Sequence, residues 1–190
     1  LLIGPVDAIG ARLVADRRVP LISATGSCAM GRKVGAVVAQ RMGRTLLELG
    51  GNNAMTILDD ADLDLAVRGV LFAAVGTAGQ RCTTARRLIV QKGVAGTFLE
   101  RLVTAYKQVK IGDPLADGTL MGPLIRHGAV ETMMHALEVA KQQGGKILTG
   151  GGRYTQGSCA KGYYVEPTVV RAHKDMSIVA EETFAPILYA

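Results

Sequence analysis

The stretch Val19-Pro20-Leu21-Ile22-Ser23-Ala24-Thr25-Gly26-Ser27 decides the fold. Its apolar half, 19–23, predicts a buried strand, and Thr25-Gly26-Ser27 predicts the turn that follows it. A helix is predicted next, because apolar residues recur at helical spacing as far as Gly43: Met30, Val34, Val37 and Val38. A strand that turns directly into a helix is typical of parallel sheets covered by helices.

The segments on either side continue this alternation. An earlier helix is predicted from Val6, Ile9, Leu13 and Val14, and a second buried strand from Leu46-Leu47-Glu48-Leu49. Strands and helices alternate again from 54 to 189. We therefore expect an α/β protein in which residues 1–50 are the end of a doubly wound parallel sheet and residues 51–190 form a second α/β domain, with the boundary at Gly50-Gly51.

The second part of the chain contains predicted elements of both kinds. Strands are predicted at 54–58, 87–91 and 146–148, with further extended segments at 163–170 and 177–189. Helices are predicted at 62–75, 97–109 and 129–142. Small residues fill 76–80, and Gly and Pro are frequent in 111–123, so both segments are predicted to be loops.

Composition argues against several classes of function. Lys and Arg number 22 against 16 acidic residues, a net charge of +6, but the basic residues are dispersed and the aromatic residues are only five Tyr and three Phe. We therefore expect no nucleic-acid partner and attribute the charge to an anionic cofactor or substrate. No apolar run reaches the roughly 18 residues of a membrane span, so no membrane partner is expected. The three cysteines are widely spaced, which favours a reducing, cytoplasmic compartment. Neither they nor the three histidines have the spacing of metal ligands, so no metal site is expected.

Two features near the first strands are candidates for binding or catalysis. Gly26 and Ser27 lie before a helix, where free N–H groups suit a phosphate, although a tight turn needs small residues for packing alone. Glu48 lies among leucines at the end of a presumed buried strand, which suits a general base. The alternative is an outward-facing Glu48, or one paired with Arg41 or Arg44.

Cys82 differs from the other two cysteines in its surroundings. It follows Gly76-Thr77-Ala78-Gly79-Gln80-Arg81, a stretch too small and too flexible to be core, so its thiol is predicted to be accessible. Arginines at positions 81, 86 and 87 favour the thiolate, which is the form that attacks electrophiles. Cys28 is expected in apolar surroundings on its helix, and Cys159 in an exposed polar loop.

Three motifs in order resemble the aldehyde dehydrogenase superfamily. They are Glu48-Leu49-Gly50-Gly51, Gly79-Gln80-Arg81-Cys82 and Glu181-Glu182-Thr183-Phe184-Ala185-Pro186, and Cys82 lies 34 residues after Glu48. The stretches 47–54 and 72–84 are most similar to the antiquitin branch, the α-aminoadipic semialdehyde dehydrogenases. Each motif alone is weak, since solvated charge would explain the pair of acids at 181–182, but their order and separation are specific.

The resemblance implies an NAD(P)-dependent oxidoreductase. Cys82 would be the nucleophile that attacks the aldehyde and carries the thioester, and Glu48 would be the base that activates water to release the acid. The cofactor, NAD or alternatively NADP, would be contacted by residues of both parts of the chain: Gly26, Ser27, Leu49, Glu182 and Phe184. Arg81 would bind the carboxylate of an acidic semialdehyde or, alternatively, stabilise the thiolate.

The resemblance also implies a domain assignment and partners. Residues 1–50 would belong to the NAD(P)-binding domain and residues 51–190 to the catalytic domain, with a small-molecule aldehyde as substrate and a homodimer or homotetramer as the assembly. Because the chain begins at Leu1 without Met and ends within an apolar run, we expect an internal fragment that is inactive alone.

Two departures from the family pattern and two other interpretations stay open. A Glu often follows the phosphate turn where this chain has Cys28-Ala29, and Gly is frequent where Ala185 stands. The chain could be a non-catalytic homologue with a structural or binding role. It could also be a thiol hydrolase that uses Cys82 without a nicotinamide.

Overall fold

The computed structural model describes all residues, 1–190, and divides into two compact units, Leu1–Gly50 and Gly51–Ala190. Both units contain strands and helices, as the sequence predicts. The expected alternation is wrong in the second unit, where the helices at 92–107 and 127–142 follow one another without a strand between them. No helix is long and apolar enough to cross a lipid bilayer.

The first unit contains two parallel strands and one long helix. A π-helical turn, Val6–Gly10, runs into α1 (Ala11–Ala15), and β1 (Leu21–Thr25), α2 (Cys28–Gln40) and β2 (Arg44–Glu48) follow. The strands pair in parallel register, from Leu21 opposite Arg44 to Thr25 opposite Glu48. Apolar side chains of β1 and α2 form the buried core of this unit: Ile22, Val34 and Val38.

Two expectations about these strands are wrong in detail. β1 begins at Leu21 and not at Val19, because Pro20 has no N–H to donate to a neighbouring strand. The Pro20 carbonyl still accepts from the Arg44 N–H at 2.9 Å. The second strand is predicted to be buried, but β2 is largely exposed, and Leu46 retains 57% exposure. β2 pairs with β1 alone, so no strand covers its other side.

The second unit contains a five-stranded sheet in the order β3-β4-β7-β6-β5. Its strands are β3 (Asn53–Ile57), β4 (Ala85–Val90), β5 (Lys146–Thr149), β6 (Thr168–Arg171) and β7 (Ile187–Tyr189), and its helices are α3 (Leu63–Val75), α4 (Lys92–Lys107) and α5 (His127–Gln142). Neighbouring strands are parallel except β5 and β6, which are antiparallel. The last strand in the sequence, β7, is therefore the middle strand of the sheet.

Local sequence explains where the first of these helices begins and what all three bury. Asp62 caps α3 by accepting hydrogen bonds from the backbone N–H groups of Asp64 and Leu65. All three helices contribute to one apolar core with the sheet, and its fully buried side chains include Val70, Phe98, Leu102, Met133, Leu137 and Leu188. This packing fixes the strand ends that carry the candidate site.

Three local expectations differ from the structure. The segment 177–189, predicted to be extended, contains a 3₁₀ turn at Ser177–Ala180 before the short β7. Cys159 is buried and not exposed, because the 3₁₀ turn Gly157–Lys161 directs its side chain inward despite polar neighbours. Cys28 is exposed and not packed, because it is the first residue of α2.

Candidate functional site

In the first unit, the candidate residues lie at the carboxyl ends of β1 and β2. Thr25 and Glu48 end the two strands opposite each other, and the Gly26 N–H donates to the Glu48 carbonyl at 3.0 Å. The Gly26-Ser27 turn and Glu48 therefore share the edge at which parallel α/β sheets bind ligands. The Glu48 side chain is exposed, which corrects the expectation of a buried carboxylate.

The N-terminus of α2 offers free hydrogen-bond donors beside this edge. Ser27 Oγ accepts from the Met30 N–H at 3.1 Å, and the N–H groups of Cys28 and Ala29 have no intrahelical acceptor. The first turn of α2 contains no acidic residue, so an anionic ligand would meet no repulsion from it. These donors fit a phosphate of a dinucleotide.

Two glycines let neighbouring side chains pack against this turn and helix. A Cβ at Gly26 would lie 2.5 Å from Met30 Cε, and a Cβ at Gly31 would lie 2.5 Å from Leu49 Cδ1. Leu49 therefore occupies the space that Gly31 leaves on α2. Its side chain packs on the protein at the same edge as the Gly26-Ser27 turn.

In the second unit, the candidate residues lie at the amino ends of three parallel strands. Asn53 begins β3, Cys82 precedes β4, and Glu182 and Phe184 precede β7. Because β4 pairs in parallel with both β3 and β7, these segments meet at one edge of the sheet. Residues 76–84, which lead into β4, are called the Cys82 loop below.

The Cys82 loop has an unusual backbone conformation. Thr77, Ala78 and Gly79 all have positive φ angles, of 54°, 51° and 72°. Only glycine adopts this region without strain, and a Cβ at Gly79 would clash with the backbone just before β7. Gln80 Oε1 anchors the loop elsewhere by accepting from the Ile125 N–H at 2.9 Å. The loop is therefore held at two places. Ala78 is 1% exposed and belongs to the core of the second unit, which corrects the expectation that this stretch is too small and too flexible to be core.

Cys82 is exposed, as the sequence predicts. Its carbonyl accepts a hydrogen bond of 2.6 Å from Asn53 Nδ2, which also donates to the Thr84 carbonyl at 3.0 Å. The Cys82 N–H donates to no acceptor in the protein. The loop thus presents a thiol and a free N–H at a position that the start of β3 helps to fix.

Arg86 is a buried residue of this edge that sequence reasoning did not single out as a site residue. It is only 1% exposed, and its guanidinium donates to the carbonyls of Gly79 and Arg81 and to the Glu182 carboxylate. Burial lowers the pKa of Arg86, and the Glu182 charge opposes this shift. The Arg86-Arg87 pair could have predicted a buried arginine, because successive side chains of a strand point to opposite faces of the sheet.

The Glu182 carboxylate accepts hydrogen bonds from the protein and is not merely a solvated surface charge. Its Oε1 accepts from the Gly51 N–H at 3.2 Å and from Arg86 Nη2 at 3.3 Å, whereas Oε2 accepts no hydrogen bond from the protein. Phe184 is 45% exposed, and its ring centroid lies 5.2 Å from Arg86 Cζ. Arg86 therefore brings Glu182, Phe184 and the Cys82 loop together.

Arg81 contacts α3. Its Cζ lies 5.3 Å from the Phe72 ring centroid, and Nη2 donates to the Phe72 carbonyl over a long 3.4 Å. Gly76 makes room for this arrangement, since a Cβ there would clash with the guanidinium. The Arg81 Nε is buried without an acceptor, so Arg81 keeps unused donor capacity.

Comparison with known proteins places these motifs in a family. Residues 1–190 match the family model described as Aldehyde dehydrogenase family. The chain is 53% identical over 182 residues to aldehyde dehydrogenase family 7 member A1 of Brassica napus, covering 96% of this chain and 36% of that protein. It is 49% identical over 191 residues to alpha-aminoadipic semialdehyde dehydrogenase of Mus musculus, covering 100% of this chain and 34% of that protein. The chain therefore spans about a third of the length of these relatives.

Solved structures share the fold. Betaine aldehyde dehydrogenase from Staphylococcus aureus in complex with NAD+ matches with a TM-score of 0.97 and 33% identity, over 100% of this chain and 38% of that one. HpcC from Thermus thermophilus gives the same TM-score, identity and coverage. A double mutant of the Staphylococcus aureus enzyme contains NAD+ and a BME-modified cysteine. The α/β class and the parallel-strand sheets predicted from the sequence are confirmed.

Proposed function

Because the chain belongs to the aldehyde dehydrogenase family, we propose that the complete protein oxidises an aldehyde to a carboxylic acid with NAD as the hydride acceptor. One observation carries the proposal: Cys82 exposes its thiol on a loop that the buried Arg86 ties to Glu182. In this proposal residues 1–50 belong to the NAD(P)-binding domain and residues 51–190 to the catalytic domain.

Cys82 is the proposed nucleophile. Its thiolate sulfur forms a bond to the aldehyde carbon, and the carbonyl electron pair moves onto the oxygen. The Cys82 N–H, which has no acceptor in the protein, would donate to that oxyanion. The BME-modified cysteine of the Staphylococcus aureus double mutant supports a reactive thiol on this fold.

Residues of each unit are proposed to hold the cofactor. Gly26 and Ser27 would receive its phosphates at the N-terminus of α2, and Leu49 would contact the cofactor beside them. Glu182 would accept a hydrogen bond from the nicotinamide ribose, and Phe184 would pack against the cofactor. When bound, the nicotinamide supplies the hydride acceptor. The unused Oε2 of Glu182 supports its role toward a hydroxyl group, and the neighbours solved with NAD+ support NAD.

Glu48 is the proposed base for release of the acid. It would take a proton from water as the water oxygen attacks the thioester carbon and the Cys82 thiolate departs. Membership of the family supports this role, together with the place of Glu48 in the motif Glu48-Leu49-Gly50-Gly51. The exposed side chain is the outward-facing arrangement that a surface glutamate would also have.

An acidic semialdehyde is the proposed substrate, with Arg81 as the ligand of its carboxylate. The mouse relative carries the name alpha-aminoadipic semialdehyde dehydrogenase, and the Arg81 guanidinium makes only one hydrogen bond, a long one, through Nη2. A guanidinium can bind a carboxylate through two parallel hydrogen bonds, which would displace the contact with Phe72. The proposed assembly of the complete protein is a homodimer or homotetramer.

The test is formation of reduced nicotinamide by the complete protein with α-aminoadipic semialdehyde and with hexanal. Cys82→Ala should lower turnover by roughly a thousandfold or more, because the covalent step is lost. Cys159→Ala, which removes a thiol outside the site, should retain turnover. Arg81→Ala should lower kcat/KM roughly a hundredfold for the acidic aldehyde and less than about threefold for hexanal.

Three results would decide against this proposal. Full turnover by Cys82→Ala would exclude Cys82 as nucleophile. Thiol-dependent ester cleavage without reduced nicotinamide would establish the hydrolase interpretation. Equal losses for both aldehydes in Arg81→Ala would remove the carboxylate role and leave the stabilisation of the thiolate.

A further inference from the structure

We propose that Arg86 is a positioning residue that orients both the Cys82 N–H and the Glu182 carboxylate. The inference rests on the proposed function, because it assigns Arg86 a task within that site. It concerns a side chain that touches neither substrate nor the reacting atoms in that mechanism. The supporting observation is that the Arg86 guanidinium uses all of its hydrogen-bond donors within the protein.

Every N–H donor of Arg86 has an acceptor. A guanidinium offers five donors in a fixed plane. Their acceptors are the carbonyls of Gly51 (3.3 Å), Gly79 (3.3 Å), Arg81 (3.0 Å) and Thr183 (2.8 Å) and Oε1 of Glu182 (3.3 Å). The side chain therefore joins the segment before β3, the Cys82 loop and the segment before β7 at one point.

One of these bonds sets the direction of the Cys82 N–H. The Arg81 carbonyl and the Cys82 N–H belong to the same peptide group, which is planar and trans. Arg86 Nη2 holds that carbonyl at 3.0 Å, so the N–H on the opposite side of the peptide group is held pointing away from Arg86. The Cys82 N–H has no acceptor in the protein and is free to receive an oxyanion.

The second bond sets the direction of Glu182. Arg86 Nη2 and the Gly51 N–H both donate to Oε1, which leaves Oε2 as the free acceptor. Two donors on one oxygen restrict the rotation of the carboxylate, so Oε2 would meet a ligand with a smaller ordering cost. Arg86 thus couples the oxyanion donor to the cofactor carboxylate.

Arg87 provides a matched control. It is the next residue of β4, and its guanidinium also donates to a backbone carbonyl, that of Asn52, at 3.0 and 2.7 Å. It donates to neither Glu182 nor the Cys82 loop, so the expectation that Arg87 also favours the Cys82 thiolate has no support in these contacts. Loss of Arg87 therefore reports the cost of removing an arginine that ties strands together without orienting the site.

The experiment compares Arg86→Met, Arg86→Lys and Arg87→Met in the complete protein. The measurements are kcat, the KM for NAD+, the thermal unfolding temperature, and the rate at which iodoacetamide alkylates Cys82 without cofactor, followed by peptide mass spectrometry. Exposed Cys28 serves as the internal reference for alkylation. Glu182→Gln and the double variant Arg86→Met/Glu182→Gln complete the set.

We expect Arg86→Met to raise the KM for NAD+ roughly tenfold, to lower kcat by a similar factor, and to slow alkylation of Cys82 roughly threefold or more relative to Cys28. Arg86→Lys keeps the charge, so alkylation of Cys82 should stay within about twofold of wild type. Lysine has only three donors, so the KM for NAD+ should still rise.

In the Glu182→Gln background the effect of Arg86→Met on the KM for NAD+ should fall below about threefold, because the two residues act together. Arg87→Met should lower the unfolding temperature and leave KM and alkylation unchanged.

The inference is wrong if Arg86→Met and Arg87→Met change KM and alkylation alike, or if the effects of Arg86→Met and Glu182→Gln on KM simply multiply. Should Arg86→Met not fold, the same decision falls to Arg86→Lys, whose KM would have to stay at the wild-type value to overturn the proposal. A wild-type protein that forms no reduced nicotinamide contradicts the proposed function. The alkylation rates of apo Arg86→Met and Arg87→Met would still show whether Arg86 acts on Cys82.

Discussion

The two units place their candidate residues at opposite ends of parallel strands and hold them by different means. In the first unit, the Gly26-Ser27 turn and Glu48 follow the carboxyl ends of β1 and β2, and a backbone hydrogen bond connects them. In the second unit, the Cys82 loop and Glu182 precede the amino ends of β4 and β7, and a buried side chain, Arg86, connects them. The arrangement in the first unit thus follows from ordinary strand-turn-helix geometry, whereas the arrangement around Cys82 depends on individual side chains.

The largest test of this difference is Gly79→Ala in the second unit. Gly79 has a φ of 72°, and an added Cβ would clash with the backbone before β7. We expect the free energy of unfolding to fall by about 3 kcal/mol or more, measured by urea unfolding, because both backbone strain and overpacking act. The matched control is Gly76→Ala, where φ is −50° and the Cβ meets only the flexible end of Arg81. Equal losses in the two variants would show that Gly79 does not fix the Cys82 loop.

Glu48→Gln should separate catalysis from stability in the first unit. Because Glu48 is exposed, its substitution should change the free energy of unfolding by less than about 0.5 kcal/mol. Thioester hydrolysis should slow roughly a hundredfold, so rapid mixing should show a burst of reduced nicotinamide followed by slow turnover. Glu100→Gln, at an exposed position on α4, is the control. A variant that turns over at the wild-type rate without a burst would remove Glu48 from the mechanism.

Ser27→Ala tests the proposed phosphate-binding site at the N-terminus of α2. Loss of the hydrogen bond from Met30 should cost about 1 kcal/mol of stability and raise the KM for NAD+ roughly threefold, because the first turn of α2 frays. Asp62→Ala removes the cap of α3 in the second unit and should cost a similar amount of stability with no change in KM. Similar KM values in both variants would contradict cofactor binding at α2.

The smallest expected effect concerns the ion pair of Asp16 with the exposed Arg18, which contrasts with the pair of Glu182 with the buried Arg86. Hydrogen bonds from Arg18 lower the pKa of Asp16 from 3.8 to about 2. Because the folded state lowers this pKa, the contribution of Asp16 to stability is present above about pH 4 and is lost as the pH falls toward 2. Unfolding temperatures of wild type and Asp16→Asn should therefore differ slightly near neutral pH and converge near pH 2. A difference that grows on acidification would have the wrong sign.

Sequence patterns predict most of the fold because local physics determines it. The sequence patterns of 28–43 and 62–75 predict helices that the structure confirms as α2 and α3, and the structure adds Ser27 and Asp62 as their caps. These properties depend on residues close in sequence, so no tertiary information is required.

Properties that depend on distant segments were not predictable. The burial of Cys159, the exposure of β2 and the short β7 all depend on which elements pack together. The role of Arg86 is the strongest case, because its acceptors include Gly51 and Thr183, far away in the sequence. Neighbouring residues suggested only that the charge of Arg86 acts on Cys82.

The central place of β7 has a consequence for synthesis of the protein. Since β7 lies between β4 and β6, the sheet remains divided on the ribosome until residues 187–189 have emerged from the exit tunnel. The contacts of Arg86 with Glu182 and Thr183 form at the same late moment, after all of 91–181 has been translated. A nascent chain therefore carries Arg86, for most of this interval, without the partners before β7 that complete its hydrogen bonds.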